Sequence, residues 1–196
     1  MEKFYLYLKD KNQLFMTKDE IEKYFNEFKN LWKISLDFSK TFDSIRKNKI
    51  TYMFNNYWAI SNEDYIKLIQ QFLDYLNIPN YYGLETALYL NKKTWQPQLK
   101  YSLLNTKYNK TRLYKGIKIE LIKIPEGIYN ENTLIKENLI YSDYEKTILD
   151  MIFLKKQKFY VPEDFSKINL YLGLYNKNIK KELISKLDDD KKVLVK

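Results

Sequence analysis

The sequence changes character at Pro79, and this change constrains the fold more than any other feature. Before Pro79, short helix-like stretches lead to a pair of aromatic runs; after it, strand-like and helix-like runs alternate. Proline disfavours helix at the preceding residue, Ile78, whereas Asn80 can cap a new helix. An i, i+3, i+4 pattern of apolar residues then begins at Leu84. We therefore predict a helix from Tyr81 to Asn91 that belongs to a second core.

Composition excludes several kinds of chemistry. The 196-residue chain has neither cysteine nor histidine, which removes disulfides, thiolate catalysis, Cys/His zinc sites and the Ser-His-Asp triad. Its 34 Lys and Arg against 25 Asp and Glu give a formal charge of +9, which favours a polyanionic partner. The high content of lysine and asparagine also fits a protein encoded by an AT-rich genome, in which case the charge has no functional meaning.

The chain length fits either one domain or two small ones, and no apolar run approaches the roughly 20 residues that span a bilayer. The first ten residues are charged and aromatic and lack the apolar region of a secretory signal. We therefore expect a cytoplasmic protein that does not bind membranes.

Three helices are predicted in the first 50 residues. The first covers Glu2 to Asp10, and the second begins at a capping box, Thr17 to Glu20, and runs from Lys18 to Lys29. The third lies within residues 34–49, where apolar side chains fall on one narrow arc. The opposite face of this third helix presents Lys40, Asp43, Ser44 and Lys47, with Thr41 and Arg46 on its flanks.

Two aromatic or β-branched runs follow, joined by Asn55 and Asn56, which tolerate the positive φ angles of a tight hairpin turn. Three helices and a hairpin within residues 1–60 is the order of a winged helix-turn-helix domain, whose third helix enters the major groove. The predicted DNA contacts are Lys40, Thr41, Ser44, Arg46, Lys47, Lys49, Asn55 and Asn56. Asp43 shares this face and would repel phosphate. A small helical domain used for protein contacts is the alternative interpretation.

Residues 61–77 are interpreted as a connecting helix, and residues 78–196 as a C-terminal domain of mixed α+β structure. The overall fold class is therefore predicted to be α+β. Strands are predicted near residues 99–104, 111–114, 117–124 and 138–141, and two further helices near residues 165–175 and 177–187. Between the last of these strands and the first of these helices, residues 142–145 are predicted to form a capping box that begins another helix. Lys146 and Asp150 have the i, i+4 spacing of a surface ion pair.

A metal-dependent nuclease would have to use the carboxylates nearest these motifs, namely Glu85, Glu120, Asp143, Glu145 and Asp150. Capping already explains Asp143 and Glu145, and the chain has only four glycines and no phosphate-binding glycine loop. We therefore expect a protein that is not an enzyme, and we assign no catalytic residue, metal ligand or cofactor.

Three segments together resemble a known family. Residues 82–90 (YGLETALYL), the strands ending at residues 117–124 and residues 141–150 (YSDYEKTILD) are similar, in order and spacing, to the AbiEi antitoxins of type IV toxin-antitoxin (abortive infection) systems. The similarity extends to about Leu154. The chain departs from the family pattern in two places. Asn48 follows the third helix where a glycine is common, and Asn56-Tyr57 stands in the wing where family members have Gly-x-Tyr.

The resemblance implies a transcriptional repressor in phage defence. Such a protein binds inverted repeats in the promoter of its own operon through an N-terminal winged helix. It also counteracts a nucleotidyltransferase-like toxin encoded beside it, without forming a stable complex with that toxin. The alternative is an interaction module that neutralises its partner directly and needs no operator DNA. The oligomeric state and the operator sequence are left open.

Overall fold

The computed structural model describes residues 1–61, 64–94, 100–129, 133–136, 138–154 and 162–194. It is a mixed α+β structure that divides into two compact units, Met1–Leu76 and Asn77–Lys196. Within these described residues, no helix combines the length and apolar character needed to cross a membrane.

The first unit alternates helices with very short strands. Its elements are α1 (Glu2–Lys9), β1 (Phe15–Thr17), α2 (Lys18–Trp32), α3 (Phe38–Asn48), β2 (Thr51–Tyr52), β3 (Tyr57–Ala59) and α4 (Tyr65–Tyr75). The three strands form an antiparallel sheet in the order β1-β3-β2, with Met16 and Tyr52 on either side of Trp58. Strand β1 was not predicted, because it has three residues and is defined only by its pairing with β3.

Aromatic rings fill the core of the first unit. The ring of Phe4 on α1 meets that of Phe25 on α2 at a centroid distance of 5.2 Å. In α4, Phe72 is fully buried and lies 5.1 Å from Phe15 and 4.8 Å from Phe54. Helix α4, which the sequence suggests is a connector, therefore packs as part of the first unit, and the division between the units falls after Leu76.

The second unit is built on a six-stranded mixed sheet. Its elements are β4 (Asn80–Tyr82), α5 (Leu84–Leu90), β5 (Lys100–Asn105), β6 (Lys110–Tyr114), β7 (Ile117–Lys123), β8 (Thr133–Lys136), β9 (Leu139–Ser142), α6 (Tyr144–Phe153), α7 (Phe165–Leu174) and α8 (Lys177–Leu194). The strand order is β6-β7-β5-β4-β9-β8. Neighbours pair antiparallel except for β5 with β7 and β4 with β9, which are parallel. Apolar residues of α5, α6, α7 and α8 form one core with Tyr81 and Leu104 of the sheet.

The predicted helix from Tyr81 to Asn91 is wrong at its start. Residues 80–82 form a central strand, and Tyr81 and Tyr82 are fully buried, which suits the strand preference of aromatic side chains. The helix begins after Gly83, where a Cβ atom would lie 2.6 Å from Cδ1 of Leu104. Any larger residue at this position would therefore require the buried side chain of Leu104 on β5 to move.

Candidate nucleic-acid interface

Helix α3 is held by a cap at one end and by an apolar face along its length. The Asp37 side chain accepts a hydrogen bond from the backbone N–H of Lys40 at 2.8 Å, which is the preferred N-cap arrangement. Phe42 and Ile45 are buried, and the Phe42 ring meets Trp58 of β3 edge-on at 5.1 Å. One face of α3 is therefore fixed against the core, and the other is free to face a ligand.

The outward face of α3 presents two lysines and a serine. Lys40 and Lys47 are exposed and Ser44 is half-buried. With 3.6 residues per turn, these three positions fall within an arc of about 60°. Neither lysine forms an ion pair with any residue that the structure describes. The arrangement matches the face predicted from the sequence and provides two cations about two turns apart on one helix.

Thr41 does not belong to this face, and its prediction as a DNA contact is wrong. Its side chain is only 3% exposed, and it lies on the flank of the helix nearer the buried Ile45. The sequence placed it at the boundary between the two faces. In the structure the core extends across that boundary, so the side chain of Thr41 is not presented to a ligand.

Arg46 and Lys49 are exposed or half-exposed, and both are paired. Arg46 Nη2 lies 3.2 Å from Asp43 Oδ1, and Lys49 Nζ lies 3.3 Å from Glu2 Oε1. Exposed pairs of this kind contribute about 0–1 kcal/mol, so phosphate can readily replace either carboxylate. The pairing also reduces the repulsion that Asp43 alone would exert on phosphate.

The predicted turn of the hairpin is confirmed. Asn55 and Asn56 have φ angles of 53° and 65°, and the N–H of Tyr57 donates to the carbonyl oxygen of Phe54 at 3.1 Å. Both asparagine side chains are exposed, while Phe54 is fully buried and anchors the loop. The turn therefore presents two amide side chains on a fixed backbone.

The positive charge of the chain is unevenly distributed. The first unit has 12 Lys and Arg against 11 Asp and Glu, whereas the second has 22 against 14. The first unit therefore carries a net +1 and the second a net +8. The candidate interface is therefore distinguished by the two exposed lysines on α3, and not by a strongly basic first unit.

A buried polar network in the second unit corrects another expectation. Lys146 and Asp150, predicted to form a surface pair, are 0% and 1% exposed. Lys146 Nζ donates to Asp150 and, at 2.8 Å, to the hydroxyl of Tyr81, which in turn donates to Asp150 Oδ2 at 2.9 Å. Burial lowers the pKa of Lys146 and raises that of Asp150, and the pairing opposes both shifts. The sequence could have indicated this burial, because Lys146 and Asp150 lie among the apolar residues Ile148, Leu149, Met151 and Ile152 of the same helix.

The N-terminus of α6 is capped by Asp143 rather than Ser142, so the predicted capping box is wrong. Asp143 Oδ1 accepts from the backbone N–H of Lys146 at 2.9 Å, and Oδ2 accepts from the hydroxyl of Tyr171. Ser142 is instead buried in β9, with its hydroxyl 2.8 Å from that of Thr147. Lys167 of α7 lies 3.4 Å from Asp143, whose charge raises the pKa of this lysine.

Glu120, another of the carboxylates considered above, lies between two lysines on the sheet. Its oxygens are 2.9 Å from Lys100 Nζ and 2.7 Å from Lys118 Nζ. Burial raises the pKa of this carboxyl, but the two lysines outweigh burial and hold the pKa below its usual range. Among the residues described, no group of three or more Asp or Glu side chains is arranged to hold a metal ion.

The chain matches no protein-family model, and no curated protein is significantly similar to it.

Proposed function

We propose that this protein is a DNA-binding transcriptional repressor whose first unit is a winged helix-turn-helix. The observation that carries the proposal is the element order α1-β1-α2-α3-β2-β3 together with the sheet order β1-β3-β2. A winged helix has these three helices followed by a hairpin, with the third helix inserted into the major groove. Here that helix is α3, which presents Lys40 and Lys47 outward.

The proposed contacts divide into two groups. Lys40, Ser44 and Lys47 face base edges or phosphates from the centre of α3. Arg46, Lys49, Asn55 and Asn56 contact phosphates on either side, and these contacts set the register of the protein on double-stranded DNA without reading its sequence. Inverted repeats in the promoter of the protein's own operon are the proposed binding sites.

The second unit is proposed to act as a non-enzymatic antitoxin of a type IV system, counteracting a nucleotidyltransferase-like toxin. This part rests on the resemblance to AbiEi antitoxins. It is supported by the packing of the two motifs that carry the resemblance. Tyr82 and Tyr141 are paired in adjacent parallel strands, and Tyr81, beside the first motif, is hydrogen-bonded to Asp150 of the second. The two motifs thus form one structural element.

A reporter gene fused to the DNA upstream of the protein's own gene tests the proposal in cells. We expect the chain to repress the reporter, and Lys40→Ala/Lys47→Ala to relieve repression because it removes the two exposed cations of α3. Both proteins should still protect cells from the toxic product of the neighbouring gene. Full reporter expression with the unchanged protein would contradict the repressor. A stable complex with the neighbour's product would favour the direct interaction module.

A further inference from the structure

The second unit contains a hairpin that carries much of the positive charge of the chain. Residues 107–123, here called the basic hairpin, comprise β6, β7 and the segments beside them. They include six Lys or Arg and a single acid, Glu120. Lys100, on the neighbouring β5, adds a further cation that pairs with Glu120. The basic hairpin thus has a net charge of +5, against +9 for the whole chain.

The cations follow the edge of the sheet. Strand β6 is the outermost strand, and Lys110, Arg112 and Tyr114 pair with alternate residues of β7. Because directly paired residues of antiparallel strands point to the same face, these three side chains lie on the face that also carries the buried Ile119 and Leu121, and each of the three is half-buried. Lys107 and Lys115 are exposed at its two ends. The cations therefore form a line along one edge rather than a compact cluster.

Tyrosine rings are interspersed with these cations. The ring of Tyr108 has Lys107 Nζ at 5.6 Å and Lys110 Nζ at 5.5 Å, and that of Tyr114 has Lys115 Nζ at 5.3 Å. Proteins that bind single-stranded nucleic acid combine cations that follow the phosphates with aromatic rings on which bases stack. In a duplex, by contrast, the bases are stacked on one another and unavailable to such rings.

A second explanation accounts for the cations alone. Charged side chains on an edge strand also prevent it from pairing with another sheet. This explanation does not require aromatic rings beside the lysines. It predicts that changing the charges causes self-association and leaves nucleic-acid binding unchanged.

We propose that the basic hairpin binds single-stranded nucleic acid, at a site separate from α3. The site takes phosphates on Lys107, Lys110, Arg112 and Lys115 and bases on Tyr108 and Tyr114. It does not depend on operator binding by the first unit, because it uses other residues and a different form of nucleic acid.

The test uses the full chain carrying Lys40→Ala/Lys47→Ala, so that α3 contributes little. Binding of a fluorescent 20-nucleotide RNA, a DNA of the same sequence and the corresponding duplex is measured over a range of salt concentrations. The hairpin variant is Lys107→Glu/Lys115→Glu. The matched control is Lys177→Glu/Lys181→Glu, which reverses two exposed charges on α8. Tyr108→Leu removes a stacking ring and Tyr108→Phe retains it.

We expect the protein to bind both single strands more tightly than the duplex. Whichever of the RNA and the DNA binds more tightly identifies the natural class of ligand. The hairpin variant should bind at least about tenfold more weakly, with a salt slope lower by about 1.4, since each phosphate contact on a single strand contributes about 0.7. Tyr108→Leu should lose about tenfold and Tyr108→Phe should bind normally. Absent binding, tighter duplex binding, or equal losses in the hairpin and control variants would overturn the proposal. If the hairpin variant bound normally but self-associated, the function of the charges would be to prevent β6 from pairing with another sheet.

Discussion

Replacing Lys146 with methionine lowers the free energy of unfolding by about 3–5 kcal/mol, because the carboxylate of Asp150 is left buried without its cation. Lys146 and Asp150 are both essentially inaccessible to solvent, and the hydroxyl of Tyr81 closes a ring of hydrogen bonds with them. Urea denaturation measures the effect, with an unchanged slope showing that the midpoint shift reports stability.

The pH dependence of this variant has a defined sign. Burial raises the pKa of Asp150 even with Lys146 present, and without the lysine that shift increases. A carboxyl with a raised folded-state pKa stabilises the fold below its unfolded pKa of about 3.9, and this stabilisation is lost as pH rises through the folded pKa. The destabilisation of Lys146→Met should therefore be smaller near pH 4 than near pH 8.

The control for Lys146→Met is the variant Tyr81→Phe/Lys146→Met/Asp150→Leu, in which all three polar groups are replaced by apolar ones of similar size. Because nothing charged or unpaired is then left behind, this variant should recover most of the lost stability. If Lys146→Met alone remained within about 1 kcal/mol of the unchanged protein at neutral pH, the buried network would be contradicted, since that loss is below the cost of an uncompensated buried charge.

The variant Lys40→Ala/Lys47→Ala should bind operator DNA about 30- to 20,000-fold more weakly, which corresponds to about 2–6 kcal/mol. Each lysine contributes one contact, and contacts of this kind are worth roughly 1–3 kcal/mol. Loss of two phosphate contacts would also lower the salt slope by about 1.8, because each contributes about 0.9 on duplex DNA. Equilibrium binding at several salt concentrations measures both quantities.

Lys9→Ala/Lys23→Ala is the matched control for the α3 variant. These lysines are exposed on α1 and α2 and lie outside the proposed interface, so their loss should change affinity by less than a few-fold. Similar losses in the two double variants would show that DNA responds to overall charge, and α3 would no longer be distinguished as the recognition helix.

Local features of the fold are the ones that could be predicted from the sequence. The capping box of α2 is present as expected, with the backbone N–H of Glu20 donating to Thr17 Oγ1 and that of Thr17 donating to Glu20 Oε2. The turn at Asn55 and Asn56 could be predicted equally well, because positive φ depends on the turn residues themselves. Each of these features depends on residues no more than a few positions apart.

Features defined by distant residues were missed. Strand β4 has three residues and exists because β5 and β9, far along the chain, pair with it on either side. The i, i+4 spacing of Lys146 and Asp150 is the same for a surface pair and a buried one, and only the packing of Tyr81 against α6 distinguishes the two. Thr41 was misplaced because the width of the buried face of α3 depends on the elements packed against it.

Binding of the purified chain to the DNA upstream of its own gene, compared with a scrambled duplex of equal length and composition, tests the central claim most directly. Anisotropy would be measured with increasing salt, because affinity for nucleic acid is interpretable only at stated salt concentrations. A sequence-specific repressor should prefer the upstream DNA by about 10³-fold or more near physiological salt. Equal affinity for the two duplexes at every salt concentration, or no binding to either, would contradict operator recognition by this protein.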